Sequence, residues 1–502
     1  MNRDSQQNTT FYAPIYEALL AMSSSNPVSF HVPGHKYGQS LTGLHSEPSI
    51  DMESIRGIME IDLTELPGTD DLHAPAGIIA EAQTLAASTF GAEETFFLIG
   101  GSTVGNLAMI LSTCEIGDQI IIQRNAHKSV LNGLALAGAQ AIFIMPQMDH
   151  ENGLEIVPEL TLIEEALKLF PAAKAVFLTN PSYYGFSVDL QPYANLIHQY
   201  GKLLLVDEAH GAHYGLHPDF PNSALQAGAD AVVQSTHKTL PALTMGAMLH
   251  VQGERMDRES LRHVLRMVQS SSPSYPILAS LDIARALVDT MKASLFDSGL
   301  RAAAAFRKWI KENGSSFGIV ENWSHHDVEV RLDPLRIVIE DLTGRYTGFE
   351  LLEHLQYYGC WAEMADSKHV VLLVGLAALE ADIERLKDAM TGIANHGSAA
   401  ICRKESHPLL WTTKSNKISE PVTIPRKLPS ESEVDRIGLS DAVGRRAAES
   451  IIPYPPGIPI VYMGEYISAE TVQYVKRLAI EGAKFQGAVD PAMHTIAVMK
   501  GS

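Results

Sequence analysis

The sequence predicts an α/β chain: a large domain on a mostly parallel sheet, a smaller α/β domain after it, and a C-terminal α+β domain. Three observations carry that expectation. Between about residues 91 and 246, short apolar runs alternate with longer helix-like stretches, as in a sheet wrapped by helices. Polar residues gather directly after those runs, where open parallel sheets bind their ligands. The 502 residues exceed what one hydrophobic core usually serves, so two to three units are expected.

The expected strands of the large domain are 95–99, 119–123, 141–145, 174–178, 203–206 and 231–234, each short and apolar. From about 281 to 395 the pattern turns to helices with a few strands, such as 327–332 and 369–374. The stretch 402–434 is polar and carries Pro421, Pro425 and Pro429, which reads as a linker, and compact patterning resumes at Ile437. The resulting division is an N-terminal segment 1–85, a large domain 86–290, a small domain 291–401, a linker 402–435 and a C-terminal domain 436–502. No internal repeat or low-complexity tract is evident.

Hydrophobic residues at 46% and charged residues at 19% exclude a disordered or fibrous chain. A formal net charge of −20 argues against nucleic-acid binding, because phosphate contacts demand clustered Lys and Arg. The same charge would suit a cationic small substrate, although solubility explains it as well. Cys114, Cys360 and Cys402 are too scattered for a disulfide framework or a zinc site, so no metal is expected and a reducing compartment is. Residues 1–10 lack the basic start and apolar run of a signal peptide, and no long apolar segment suggests a membrane span. A cytoplasmic location without membrane attachment is the expectation.

The strand ends carry the chemistry. Lys238 closes Ser235-Thr236-His237-Lys238 after the run 231–234. Burial or nearby cations can lower a lysine amine enough to make it a nucleophile toward a carbonyl, which is how aldehyde cofactors are held. Taken alone, a lysine after a strand is more often a solvated edge residue. Asp207 follows Leu203-Leu204-Leu205-Val206, and its carboxylate would be costly there unless compensated. A pyridinium nitrogen would compensate it and keep the ring able to accept electrons, while an Asp capping the next turn is the plainer alternative. Gly100-Gly101-Ser102-Thr103 joins a strand to a helix expected near Val104, a plausible phosphate cup that lacks P-loop spacing; for this motif alone an ordinary glycine turn with a Ser/Thr cap is the better reading. His127, His210 and His237 each follow a strand; His127 could lie flat on an aromatic cofactor, or cap a turn.

Taken together, these residues resemble the ornithine/lysine/arginine decarboxylase family of fold-type I (aspartate aminotransferase-like) pyridoxal phosphate enzymes, in particular its short Bacillus-type members. The likeness runs from Phe30-His31-Val32-Pro33-Gly34-His35-Lys36 and Asp70-Asp71-Leu72-His73 through the strand-end motifs just described. It continues in His127-Lys128-Ser129, Asp207-Glu208-Ala209-His210-Gly211, Ser271-Ser272-Pro273-Ser274-Tyr275, Pro453-Tyr454-Pro455-Pro456-Gly457 and Gly464-Glu465. The N-terminal wing domain of the large inducible members has no counterpart, which puts their decameric assembly in doubt.

The resemblance implies pyridoxal 5′-phosphate bound covalently to Lys238, with Asp207 at the pyridine nitrogen, His127 stacked on the ring and Ala209 on its other face. Gly101, Ser102, Thr103, Ser235 and His237 would hold the phosphate, with His210 close by. It further implies a homodimer or higher oligomer whose active site lies at the subunit interface, Ser271 and Ser272 reaching the neighbour's cofactor. The implied reaction is α-decarboxylation of arginine, lysine or ornithine to its amine, with polyamine biosynthesis as the setting. The distal cation of such a substrate needs a carboxylate, for which Glu465 is the candidate, with Asp70 and Asp71 as further ones and His35 as a second substrate contact. Transamination or carbon–carbon cleavage remains an alternative, since Arg331 or Arg336 could clamp a substrate carboxylate. A cofactor-binding protein without catalysis is the remaining one.

Overall fold

The computed structural model describes residues 10–41, 52–149, 151–313, 316–321, 329–396, 417–454 and 457–501. Cys402 and the 402–416 part of the expected linker lie outside the described residues, as do 1–9, 327–328 and Pro455-Pro456. The chain divides into two compact units, each assembled from two stretches: Met1–Thr113 with Leu203–Leu295, and Cys114–Lys202 with Phe296–Ser502.

The first unit carries four strands in the order Glu94–Leu98, Ala247–Val251, Ala231–Gln234, Leu203–Asp207. Val206 pairs in parallel with Val232, whereas Ala247–Val251 runs antiparallel to both of its neighbours. That antiparallel strand was not among those read from the sequence. All five of its residues are buried, so it shows no alternation, and its His250 looks out of place in a core.

A polar chain makes room for that histidine by crossing all four strands. Gln234 Nε2 donates to Glu208 Oε2 at 2.7 Å, which turns its carbonyl toward His250 Nε2 at 3.1 Å. His250 Nδ1 is thereby left to accept from the Thr95 hydroxyl at 2.8 Å, and the far oxygen of Glu208 accepts from the Ala224 amide. Each buried polar atom in the chain thus has a partner, without which its desolvation would be uncompensated.

Helices Pro14–Ser24, Ile78–Phe90 and Tyr275–Met291 pack on one another in this unit. Asp282, fully buried on the last of them, accepts the Ile15 amide at 2.9 Å and pairs with the buried Arg285, whose guanidinium also donates to the Tyr12 carbonyl. An ion pair therefore anchors the start of the first helix.

In the second unit, Gln119–Gln123 lies between Gln140–Ile144 and Ala175–Thr179 and is parallel to both. Val422–Thr423 adds antiparallel to Gln140–Ile144, so part of the stretch expected as a linker is built into a sheet edge. Phe317–Ile319, Arg336–Asp341, His369–Leu373 and Met364–Ala365 form an antiparallel sheet. Val330–Leu332, on part of the expected strand 327–332, pairs instead with Phe186–Val188. Val434–Gly438 pairs with Thr495–Met499, and with helix Ala469–Glu481 it encloses a separate core around Ile451, Val461, Val475 and Ile496. Among the described residues no helix is long and apolar enough to cross a membrane.

Asp282→Ala strands the Arg285 charge in the core; it is expected to lower stability by about 3–5 kcal/mol, read from the urea midpoint. Burial drives the His250 imidazole down to about 3 from its ordinary 6.5. Between those values the unfolded chain binds a proton that the folded chain refuses, so stability falls as pH drops through that window. Burial raises Glu208 to about 8, which acts in the opposite sense, removing stability as pH rises from 4.5 toward 8. Unfolding midpoints measured across pH should therefore decline on the acid side, and His250→Gln should flatten that limb.

Candidate active site

In the first unit, the tip of the buried strand Leu203–Asp207 presents Asp207, only 4% exposed. Oδ2 accepts from Asn106 Nδ2 at 2.7 Å and Oδ1 from the Ala209 amide at 3.0 Å. The carboxylate therefore does cap the following turn, as the plainer reading had it, yet two of its roughly four acceptor positions suffice for that. Asn106 was missed from sequence. It sits in helix Gly101–Thr113, whose other buried residues are all apolar or glycine, and a single buried amide there was the available signal.

That helix begins at Gly101, three residues earlier than expected. Gly101 has φ +73, and its amide donates to the Met245 carbonyl at 2.8 Å. Its part in an anion site is therefore to make the turn, leaving the next amides of the helix start, those of Ser102 and Thr103, as the donors. Ser235 donates its hydroxyl to Ser102 Oγ at 2.8 Å, bringing the two hydroxyls to one place.

Lys238 lies on the one-turn helix Thr236–Thr239 that follows strand Ala231–Gln234. Its Nζ is 3.0 Å from His210 Nε2. His237 is held by its backbone and Nδ1, both on the Gly246 carbonyl. A helix start with two hydroxyls, a buried carboxylate, and a lysine amine bonded to an imidazole thus come from one compact unit. The donor set fits the phosphate, pyridine nitrogen and aldehyde of pyridoxal 5′-phosphate.

Other candidates have different surroundings. Ser271 and Ser272 are exposed on the turn before helix Tyr275–Met291. His35 Nε2 pairs with Asp62 at 3.2 Å, and Nδ1 accepts the Gly38 amide. Asp70 is spent on backbone amides of Asp71, Ala76, Gly77 and Ile79, which hold its carboxyl below the usual range against the opposing effect of burial.

In the second unit, His127 caps helix Lys128–Ala137, its Nδ1 accepting from the Ser129 amide and hydroxyl at 3.2 and 2.8 Å. Those bonds fix the ring. A Cβ on Gly457, where φ is +90, would stand 3.2 Å from His127 Nε2. Glu465, 8% exposed, pairs with Arg124 at 2.8 Å. Arg124 in turn donates to the carbonyls of Pro459 and Ile460 and lies against the Tyr462 ring. Arg336 is buried, donates to the Tyr183 carbonyl and approaches Asp333, while Arg331 is exposed on its strand. Among the described residues no group of His, Cys, Asp and Glu converges to hold a metal ion.

Comparison with known proteins agrees with this chemistry. The family model for the Orn/Lys/Arg decarboxylase major domain matches residues 13–368, and that for its C-terminal domain matches 415–497. The uncharacterized protein YaaO of Bacillus subtilis is 40% identical over 482 residues, 94% of this chain and 96% of that one. The arginine decarboxylase of Bacillus anthracis is 33% identical over 502 residues, 100% of this chain and 99% of that one. Among solved structures, a lysine decarboxylase of Francisella novicida superposes with a TM-score of 0.77 at 19% identity, covering 97% of this chain and 81% of its own, a likeness of fold. The chain belongs to the Orn/Lys/Arg decarboxylase family, α/β enzymes that use pyridoxal 5′-phosphate to remove the α-carboxyl group of a basic amino acid.

Proposed function

We propose that this chain decarboxylates L-arginine to agmatine, with Lys238 as the residue that carries the cofactor. The observation that bears most weight is the 3.0 Å bond between Lys238 Nζ and His210 Nε2, in the same compact unit as the buried Asp207. The choice of arginine rests on the relatives: those named arginine decarboxylase in Bacillus anthracis and Bacillus subtilis are each 33% identical across nearly the whole chain.

When bound, pyridoxal 5′-phosphate supplies an electron sink for the pair left on the α-carbon as carbon dioxide departs. The remaining chemistry belongs to the protein. His210 can take a proton from the Lys238 amine, which must be neutral to act as a nucleophile. Asp207 would pair with the pyridine nitrogen and favour its protonated form, and Asn106 and the Ala209 amide hold its carboxylate in place. The helix start at Ser102 and Thr103, with Ser235 and His237, would hold the phosphate, Ala209 would pack against the ring, and His127 is the residue inferred to stack on it. Lys238 and His210 together are suited to return a proton to the α-carbon. Arg336, committed to Tyr183 and Asp333, leaves the substrate carboxylate without the firm clamp that would favour transamination. His35 and Glu465 would meet a substrate only by sharing charge with Asp62 and Arg124. The protein is further inferred to be a cytoplasmic homodimer in which the exposed Ser271 and Ser272 reach the neighbouring subunit's site.

Borohydride reduction of the purified holoenzyme should fix a pyridoxyl group on the peptide containing Lys238, and Lys238→Ala should lose both label and turnover. A label on another lysine would overturn the assignment. Asp207→Ala should retain the label while activity drops roughly a hundredfold or more, measured as carbon dioxide release across a panel of amino acids. Gly457→Ala should cost about 1–3 kcal/mol through backbone strain and lower kcat by crowding His127, with labelling at Lys238 unchanged.

A further inference from the structure

Glu208 directly follows Asp207 at the end of strand Leu203–Asp207, is fully buried, and has no part in the chemistry proposed above. Its two oxygens accept from Gln234 Nε2 and from the Ala224 amide, each at 2.7 Å, and among the described residues it has no ion pair. Both donors are neutral. Gln234 faces it from strand Ala231–Gln234 and the Ala224 N–H from a turn, so the one charged group acting on it is Asp207, whose effect is repulsive. Two adjacent buried carboxylates with no cation paired to either do not both stay ionised without a large cost. Aspartic acid is the stronger acid of the two types, and Asp207 keeps 4% of its surface exposed while Glu208 keeps none. Glu208 is therefore the member of the pair to hold a proton.

The side chains leading away from Glu208 close in two directions. In the first, described with the fold, every donor points toward a carboxylate: Gln234 Nε2 to Glu208 Oε2, His250 Nε2–H to the Gln234 carbonyl, and the Thr95 hydroxyl to His250 Nδ1. A half-turn of the Gln234 amide exchanges its nitrogen and oxygen and gives the second. The same separations of 2.7, 3.1 and 2.8 Å then carry bonds of opposite sense: a protonated Glu208 donates to the Gln234 carbonyl, Gln234 Nε2 to His250 Nε2, and His250 Nδ1–H to Thr95 Oγ1. Burial drives the His250 imidazole down to about 3, so it is neutral in both directions and changes only its tautomer. The second direction leaves the Thr95 hydroxyl proton without an acceptor in the chain, which costs far less than an uncompensated charge in the core. Burial pushes the Glu208 carboxyl up to about 8 against its two donors, with the Asp207 charge adding to the rise, in agreement with the second direction.

We propose that Glu208 is carried as a neutral acid that donates its proton to Gln234, so that the strand end presents a single negative charge, on Asp207, and that loss of this proton reverses the hydrogen bonds through Gln234 and His250 to Thr95. The consequence for the cofactor rests on the pairing of Asp207 with the pyridine nitrogen proposed above; the reversal itself does not. One negative charge at the strand end matches one pyridinium, whereas a second would be left over in the core. In alkaline solution Glu208 ionises, the Gln234 amide turns over and His250 moves its proton from Nδ1 to Nε2, so a change of charge beside Asp207 is felt as far as strand Glu94–Leu98.

Infrared difference spectra of the full-length holoenzyme, wild type minus Glu208→Gln, test the proposal. At about pH 6 the wild type should show the carbonyl stretch of one protonated carboxyl group that the variant lacks, and that band should fade as the pH rises through about 8. A spectrum with only carboxylate bands at about pH 6, where an ordinary glutamate is ionised, overturns the proposal. The glutamine amide copies the neutral acid, donating to Gln234 and accepting from Ala224, so the variant is expected to fold. If it is recovered unfolded, neutron diffraction from wild-type crystals at the same pH decides. Deuterium on Glu208 Oε2 and His250 Nδ1 supports the proposal, and a bare Glu208 with deuterium on His250 Nε2 overturns it. Neither measurement needs turnover, so a holoenzyme that releases no carbon dioxide from any basic amino acid defeats the decarboxylase reading and leaves this result standing.

Discussion

The hydrogen bond from Asn106 to Asp207 fixes the centre of the first unit. A carboxylate at the tip of a buried strand is costly unless its oxygens are occupied, and the Asn106 amide and the Ala209 N–H occupy one lone pair on each. These bonds define where the carboxylate points. They also tie strand Leu203–Asp207 to the helix whose first turn carries Ser102 and Thr103, so those hydroxyls and the buried carboxylate are spaced by one helix. The parallel partner strand Ala231–Gln234 then delivers Lys238 on its own short helix.

Beneath that arrangement runs the chain Thr95, His250, Gln234 and Glu208. Glu208 adjoins Asp207, and Gln234 precedes the Ser235–Lys238 segment by one residue, so the network that satisfies the core also fixes the two strand ends bearing the chemistry. The second unit uses a different device, a buried Arg124 that gathers Glu465 and the Pro459 and Ile460 carbonyls and thereby holds the loop around Gly457 that backs His127. In both units a buried polar group is tolerated because its partners are complete, and completeness leaves few alternative geometries.

Much of the arrangement of strand ends was legible in the sequence because its signal is local. Apolar runs of four or five residues ending in Asp207, Gln123 or Gln234 mark strand tips, and the run 119–123 forms the strand over the same residues. The strand Ala247–Val251 escaped because fully buried strands lack alternation and His250 masks its character. Pairings across long separations were illegible in principle: nothing near Glu465 announces Arg124, 341 positions earlier. Likewise the turn at Gly101 could be read from its glycines, but not that its amide would be consumed by Met245.

The first unit is interrupted in sequence: its opening stretch ends at Thr113 and resumes only at Leu203, with part of the second unit in between. A chain emerging from the ribosome therefore makes the turn at Gly101 about a hundred residues before Asp207 exists, and longer still before Lys238. Until that later segment is released, Asn106 on helix Gly101–Thr113 lacks the Asp207 carboxylate to which it donates in the folded unit. On the assignment of the cofactor to Lys238 proposed above, its loading is a late event in biogenesis.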